Sequence, residues 1–292
     1  MTNKLKVGIL GTGNIGTDLL IKILRSDSLE CSAFVGRNLN SLGMRKALEL
    51  GVPISDKSIN AFTSGLFDVD LVFDATSAAN HKVHAPIFEK LGIIAIDMTP
   101  SQVGKLCVPA INIDECTEST NLNMITCGGQ SSLPIASVLK QVIPDINYIE
   151  IVSAISSNSA GPGTRANLDE YINNTEQALT YFTGCEAVKV IINLNPAKPN
   201  IDMQTTIFAK VESCDIEKVT MAVKSCVEKI QKYVPGYRLV VEPVFDSGRI
   251  MIMVRVSGLG DYLPSYAGNL DIINCAAIVA AEEYARKAKP NE

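Results

Sequence analysis

Three observations predict an α/β fold: a doubly wound parallel sheet, a second α+β domain, and a C-terminal helix returning to the first. Short, almost wholly apolar runs alternate with helical patterns through residues 4–97, as buried parallel strands and their crossovers do. A glycine-rich turn closes the first of these runs. From residue 148 onward the runs are β-rich and separated by amphipathic stretches.

Residues 4–10 read as a buried strand, 11–16 as a glycine turn and 17–25 as a helix with apolar residues at helical spacing. A strand at 31–35, a helix at 41–50 and a short strand near 52–55 follow. Residues 70–74 and 93–97 are apolar runs closed by acids, with a helical stretch at 85–91 between them. An apolar run at 122–125 leads to Cys127, and a helix is expected from near Ser131. Beyond it, strands at 148–156 and 188–194 flank a helix at 168–181, and strands at 205–211 and 238–244 flank a helix at 216–233. A strand at 249–256 and an Ala-rich terminal helix at 269–287 complete the order.

The 292 residues are 47% hydrophobic and 20% charged, an ordinary composition for a folded chain. A net charge of -5 without any Lys/Arg cluster argues against a nucleic acid partner. No apolar run is long enough to span a membrane, and the first is too short for a signal-peptide core. The eight cysteines are scattered without C-x-x-C spacing, as reduced thiols in a cytoplasmic protein are. The only two histidines are His81 and His84, with no cysteine pair at ligand spacing beside them, so no metal site is expected. Both histidines are read as structural.

Gly11, Thr12, Gly13, Asn14, Ile15 and Gly16 form G-x-G-x-x-G between a predicted strand and a predicted helix. That context specifies a Rossmann-type dinucleotide site: a tight turn, close backbone approach to a diphosphate, and close helix–strand packing. Asp74-Ala75-Thr76-Ser77 should form a further edge of the crevice. An acid about 20 residues on usually holds the ribose of NAD. Here the chain reads Val35-Gly36-Arg37-Asn38, and Arg37 can pair with a 2'-phosphate or lie over the adenine. NAD is therefore expected, with NADP tolerated.

Cys127 stands between two glycines and an apolar run, at a strand-to-helix turn. A thiol at a helix amino end feels unpaired N–H groups that lower its pKa and favour the nucleophilic thiolate. A second loop, Ser159, Ala160, Gly161, Pro162, Gly163, Thr164, Arg165, Ala166 and Asn167, has the small and hydroxyl residues of a ligand-contacting segment. Asn269 opens the last helix, as a cap or as an amide donor to a ligand. The expected domains are a dinucleotide-binding one (1–128), a catalytic and oligomerisation one (129–268), and a C-terminal helix (269–292) packing on the first.

The motifs GTGNIGTD (11–18), FDATSA (73–78) with His81, NMITCGGQ (123–130), SAGPGTRANLD (159–169), VPGYRL (234–239) and YLPSYAGNLDI (262–272) cover nearly the full length. The chain resembles the acylating acetaldehyde dehydrogenases that work with a class II aldolase in the degradation of aromatic compounds. The resemblance implies an acyl thioester on Cys127 and coenzyme A as acyl acceptor. It places Thr12 to Ile15, the 159–167 loop and Asn269 on the nicotinamide cofactor. The apolar strands and the two-domain plan point to a homo-oligomer. Backbone N–H groups near Gly128 and Gly129 are candidates for steadying the oxyanion, a role that contributes about 2.7 to 4 kcal/mol per donor.

Three positions depart from the family. Relatives usually carry an acid where this chain has Thr205, and Asp202 is a weak substitute. Their connection at 245–249 is generally longer, and an acid often stands at Asn38. These changes mark a divergent member and open the choice of aldehyde and of an aldolase partner. A phosphorylating semialdehyde dehydrogenase would share this architecture, but should need a His base and cations near the cysteine. A nucleotide-binding scaffold without chemistry is the alternative of another class, motivated by Thr205.

Overall fold

A computed structural model describes residues 4–161, 164–165 and 167–288. The chain divides into two compact units, one holding residues up to Met124 and from Asn274 onward, the other Ile125–Ile273.

The first unit is built on a seven-stranded sheet. Its strands are β1 (Leu5–Leu10), β2 (Leu29–Val35), β3 (Ile54–Ser55), β4 (Leu71–Asp74), β5 (Ile94–Asp97), β6 (Lys105–Leu106) and β7 (Asn121–Asn123), in the order β3-β2-β1-β4-β5-β7-β6. Every pairing is parallel. The helices α1 (Asn14–Arg25), α2 (Leu42–Glu49), α3 (Asn60–Thr63), α4 (Ala78–Leu91) and α5 (Pro109–Cys116) connect them. Strands buried on both faces need apolar side chains throughout, and Val7, Ile9, Phe34, Leu71, Val72 and Phe73 are fully enclosed. The strand order reverses at β1, so the loops after β1 and β4 diverge and leave a crevice at their carboxyl ends. The helix expected at 85–91 begins seven residues earlier, because the Ser77 hydroxyl caps it by accepting from Asn80 N–H, and Pro86 is accommodated inside it. The short β6 and α5 carry no strong periodicity and were not legible in the sequence.

The second unit carries a five-stranded sheet of β8 (Tyr148–Ser156), β9 (Ala187–Asn195), β10 (Met203–Lys210), β11 (Tyr237–Asp246) and β12 (Arg249–Val256), in the order β11-β12-β10-β8-β9. The pairings are antiparallel except β8 with β9. Helices α6 (Cys127–Val142), α7 (Leu168–Thr183) and α8 (Ile216–Gln231) form the other layer, with α6 packed on α7, α8, β8 and β10. Alternate residues of β8 and β10, including Ile149, Ile151, Ser153, Thr205 and Ile207, are buried, as a period of two requires. A two-residue turn, Ser247 (φ 50°) and Gly248 (φ 76°), joins β11 to β12. The last helix, α9 (Gly268–Ala288), begins in this unit, and its residues from Asn274 belong to the first. There Asn274 donates its amide to Asp18 at 2.9 Å, and Tyr284 donates to the Ser119 carbonyl.

Candidate active site

Cys127 is the first residue of α6. The preceding strand ends at Asn123, and Ile125 turns the chain with φ 65°, a conformation strained for a β-branched residue. Thr126 is the N-cap, accepting from Gly129 N–H at 2.9 Å, and its hydroxyl meets that of Thr175 on α7 at 2.7 Å. The helix therefore starts four residues before Ser131. Gly128, Gly129, Ser131 and Ser132 are weak helix formers, and the cap and packing override that propensity. Gly129 N–H serves the cap, and the backbone N–H groups of Gly128 and Cys127 itself favour the ionised sulfur.

Burial pushes the Cys127 thiol up to about 11, against the Tyr171 hydroxyl and the N–H groups of Gly128 and Cys127. The helix amino end does pull the pKa down as expected, but desolvation of the thiolate outweighs it. The Tyr171 hydroxyl lies 3.8 Å from the sulfur. It also presses on Gly128, where a Cβ would stand 2.0 Å from the tyrosine oxygen, so only glycine fits beside this tyrosine. Tyr171 was missed in the sequence. Its signal is faint: a hydroxyl pair at helical spacing, Tyr171 and Thr175, on the buried side of α7.

Thr205 is buried with its hydroxyl 2.9 Å from Ser131 Oγ and 3.2 Å from Ser153 Oγ. Asp202 lies outside this group: its carboxylate accepts from Ser257 Oγ at 2.6 Å and faces Arg238 at 3.6 Å. Among the described residues no carboxylate acts on the Cys127 sulfur.

Within the same unit, Asn269 donates its amide to the Ser159 carbonyl at 3.5 Å, which brings together two of the residues singled out in the sequence. Asn269 is 1% exposed, and its Oδ1 has no partner among the described residues. Ala160 is buried and Gly161 borders open space. Thr164 accepts from Asn167 N–H at 3.3 Å. Arg165 folds back on its own loop, donating to the carbonyls of Ala160 (3.1 Å) and Ser157 (2.6 Å) and to Ser157 Oγ (2.8 Å). Pro162, Gly163 and Ala166 lie outside the described residues.

In the first unit, a cavity of about 470 Å³ is lined by Gly11, Thr12 and Gly13, by Gly36, Arg37 and Asn38, and by Ala75 to Ser77. Gly11 has φ 117°, and a Cβ on it would lie 2.5 Å from the Ala75 carbonyl oxygen. A Cβ on Gly16 would lie 1.9 Å from the Gly11 carbonyl oxygen, whereas nothing stands within 4 Å of one on Gly13. The loop is thus packed tightly on the protein side and open on the cavity side. Asn14 and Ile15 begin α1, whose amino end contributes unpaired N–H groups. Among the described residues that line the cavity, none is a carboxylate. Beside it Asp74 accepts from His81 Nδ1 at 3.0 Å and His84 Nδ1 at 2.8 Å, with Thr76 on its other oxygen at 2.5 Å. Burial pushes Asp74 up, but these three partners outweigh it and hold the carboxyl at about 2. His81 is fully buried, and burial lowers its pKa less than the Asp74 and Asp97 carboxylates raise it.

Residues 127–264 match the dimerisation family of prokaryotic acetaldehyde dehydrogenase. An acetaldehyde dehydrogenase of Spirochaeta aurantia is 58% identical, with 97% of this chain and 96% of that protein covered. One of Pectobacterium atrosepticum is 56% identical, with 97% of each covered. The chain belongs to the acetaldehyde dehydrogenase family. The fold of this family member extends further: a crystal structure of aspartate semialdehyde dehydrogenase II from Vibrio cholerae is 14% identical, with a TM-score of 0.63 over 98% of this chain and 99% of that one. Among the described residues of this dehydrogenase, no helix is long and apolar enough to cross a membrane.

Proposed function

We propose that this dehydrogenase converts a short aldehyde, acetaldehyde foremost, to its acyl-CoA, with NAD as cofactor and NADP tolerated. The observation that carries the reading is Cys127 at the first turn of α6, with its sulfur 3.8 Å from the Tyr171 hydroxyl. The Cys127 sulfur attacks the aldehyde carbon, and the thiol proton passes to the carbonyl oxygen. Loss of hydride from that carbon, and of the hydroxyl proton, leaves an acyl thioester on Cys127. The thiol of coenzyme A then attacks the thioester, the C–S bond to Cys127 breaks, and the CoA proton restores the cysteine. The N–H groups of Gly128 and Cys127 are the donors available to the oxygen as it gains charge.

The glycine loop fits a dinucleotide, because it is closed behind Gly11 and Gly16 and open at Gly13. When bound, the dinucleotide supplies the hydride acceptor. Gly11 to Gly16 would hold its diphosphate, and Arg37 its adenosine ribose or 2'-phosphate. In the second unit, the 159–167 loop and the unpartnered Oδ1 of Asn269 suit the nicotinamide end, whose carboxamide brings a donor to a buried acceptor. Arg165 serves by pinning that loop. The enzyme acts as a homo-oligomer through its second unit, in the cytoplasm, and a class II aldolase is the partner to test for channelling. The decisive assay follows cofactor reduction with acetaldehyde and NAD or NADP, supplying either coenzyme A or phosphate as acyl acceptor. Turnover that requires coenzyme A supports the reading; turnover that requires phosphate, or none with short aldehydes, refutes it.

A further inference from the structure

Around Cys127 the buried polar side chains form an ordered array. The Tyr171 oxygen and Ser153 Oγ stand on the same side of Gly128, 2.0 and 3.3 Å from where a Cβ on that glycine would lie, and the Ser153 hydroxyl favours the ionised phenol, as a donor does. The phenol oxygen also lies 3.8 Å from the Cys127 sulfur. Thr205 stands 3.2 Å from Ser153 Oγ and can donate to it, and Ser131 stands 2.9 Å from Thr205 and can donate in turn. Ser131 has the Gly128 carbonyl as an alternative acceptor at 3.0 Å, but Ser132 already donates to that carbonyl at 2.7 Å. Ser131 can therefore turn to Thr205 without leaving a buried carbonyl unpaired. Donation can then run one way, from Ser131 to Thr205 to Ser153 and on towards Tyr171, whose hydroxyl lies beside the sulfur. Ser131, Ser153 and Thr205 are at most 1% exposed and Tyr171 is 6% exposed, so water does not compete.

We propose that Tyr171 is a catalytic residue that donates its hydroxyl hydrogen to the ionised Cys127 sulfur, and that Thr205 is a positioning residue that polarises it through Ser153. The inference rests on the reading of Cys127 as the nucleophile. A thiol can donate to the tyrosine oxygen, but a thiolate can only accept, so ionisation of sulfur fixes the direction of the whole array. Hydrogen bonds aligned head to tail strengthen one another, and a dry site strengthens each. The array takes up no proton. It lowers the cost of the thiolate, and Tyr171 is the one titratable side chain acting on that sulfur among the described residues.

The test is the pH profile of Cys127 alkylation by iodoacetamide in the full-length protein, read by peptide mass spectrometry for wild type, Tyr171→Phe, Thr205→Val and Thr205→Ser. A hydrogen bond to a charged group is worth enough to shift the titration by about one unit, so Tyr171→Phe should be alkylated about tenfold more slowly at a fixed pH below the midpoint. Thr205→Val should move the profile the same way by about threefold, since it acts through Ser153. Thr205→Ser, which keeps the hydroxyl, should restore the wild-type profile. An unmoved profile in Tyr171→Phe or in Thr205→Val overturns the proposal, whereas loss of steady-state turnover alone would not distinguish it from a packing role. If Cys127→Ser retained aldehyde oxidation, the underlying reading of the nucleophile would fail instead, and the alkylation profiles would still report on Tyr171.

Discussion

In the first unit the buried polar cluster beside the glycine-loop cavity is ionic, with Asp74 held between His81 and His84, whereas the cluster around Cys127 in the second unit is built from hydroxyls. The first holds fixed charge: its carboxyl sits at about 2 and stays ionised at any physiological pH. The second excludes charge: burial pushes the Cys127 thiol up to about 11, and burial also raises Tyr171 well above its usual value. A paired, multiply hydrogen-bonded carboxylate suits a rigid support, because removing one partner strands the others. A neutral hydroxyl array suits a nucleophile that must become an anion only briefly, since it can stabilise the thiolate without competing for the proton.

The contrast can be broken at several points. The largest effect is expected for Cys127→Ser, which should lower aldehyde oxidation about 10⁴-fold or more while the melting temperature stays near wild type. Next, Asp74→Asn should cost about 3–5 kcal/mol of stability at mildly acidic pH, measured by denaturant titration, because it leaves two buried histidines without their carboxylate. The sign follows from the shifts. Asp74 is depressed, so its contribution is present above the ordinary carboxylate range and is lost as pH falls towards about 2. His81 is raised, so its contribution is complete below the ordinary histidine value and is lost as pH rises through the raised one. The gap between wild type and variant should therefore be widest between those ranges and narrow on both sides.

Gly128→Ala drives a methyl group to 2.0 Å from the Tyr171 oxygen and should cost about 1–3 kcal/mol of stability as well as activity. Adding Tyr171→Phe should recover part of the stability but not the activity, which separates packing from chemistry. The smallest effect is expected in the cavity, where Arg37→Ala should weaken NADP more than NAD by about tenfold, measured as the ratio of kcat/KM values. Asn38→Asp should move the same ratio towards NAD.

Much of the site was legible in the sequence because it is local. The glycine loop, its flanking strand and helix, and Cys127 beside two glycines all lie within short windows whose residue types have one physical use. The helix start at Cys127 was less legible, since glycines and serines hide a helix that Thr126 caps and Thr175 supports from α7. The hydroxyl array was not legible at all. Tyr171 lies 44 residues from Cys127, Thr205 lies 52 from Ser153 and 74 from Ser131, and only the packing of α6 against α7, β8 and β10 brings them together. The departure at Thr205, read in the sequence as a missing carboxylate, is an inner member of that array, between Ser131 and Ser153. Arg165 shows the opposite case, a conspicuous cation that the structure engages with its own loop.

The most direct test of the account is to incubate the protein with acetaldehyde and NAD in the absence of coenzyme A and to examine the peptide containing Cys127 by mass spectrometry. The account predicts an acetyl adduct on Cys127 that disappears when coenzyme A is added and does not form in Cys127→Ser. Cofactor reduction without any adduct on Cys127, or an adduct that coenzyme A fails to remove, would contradict it.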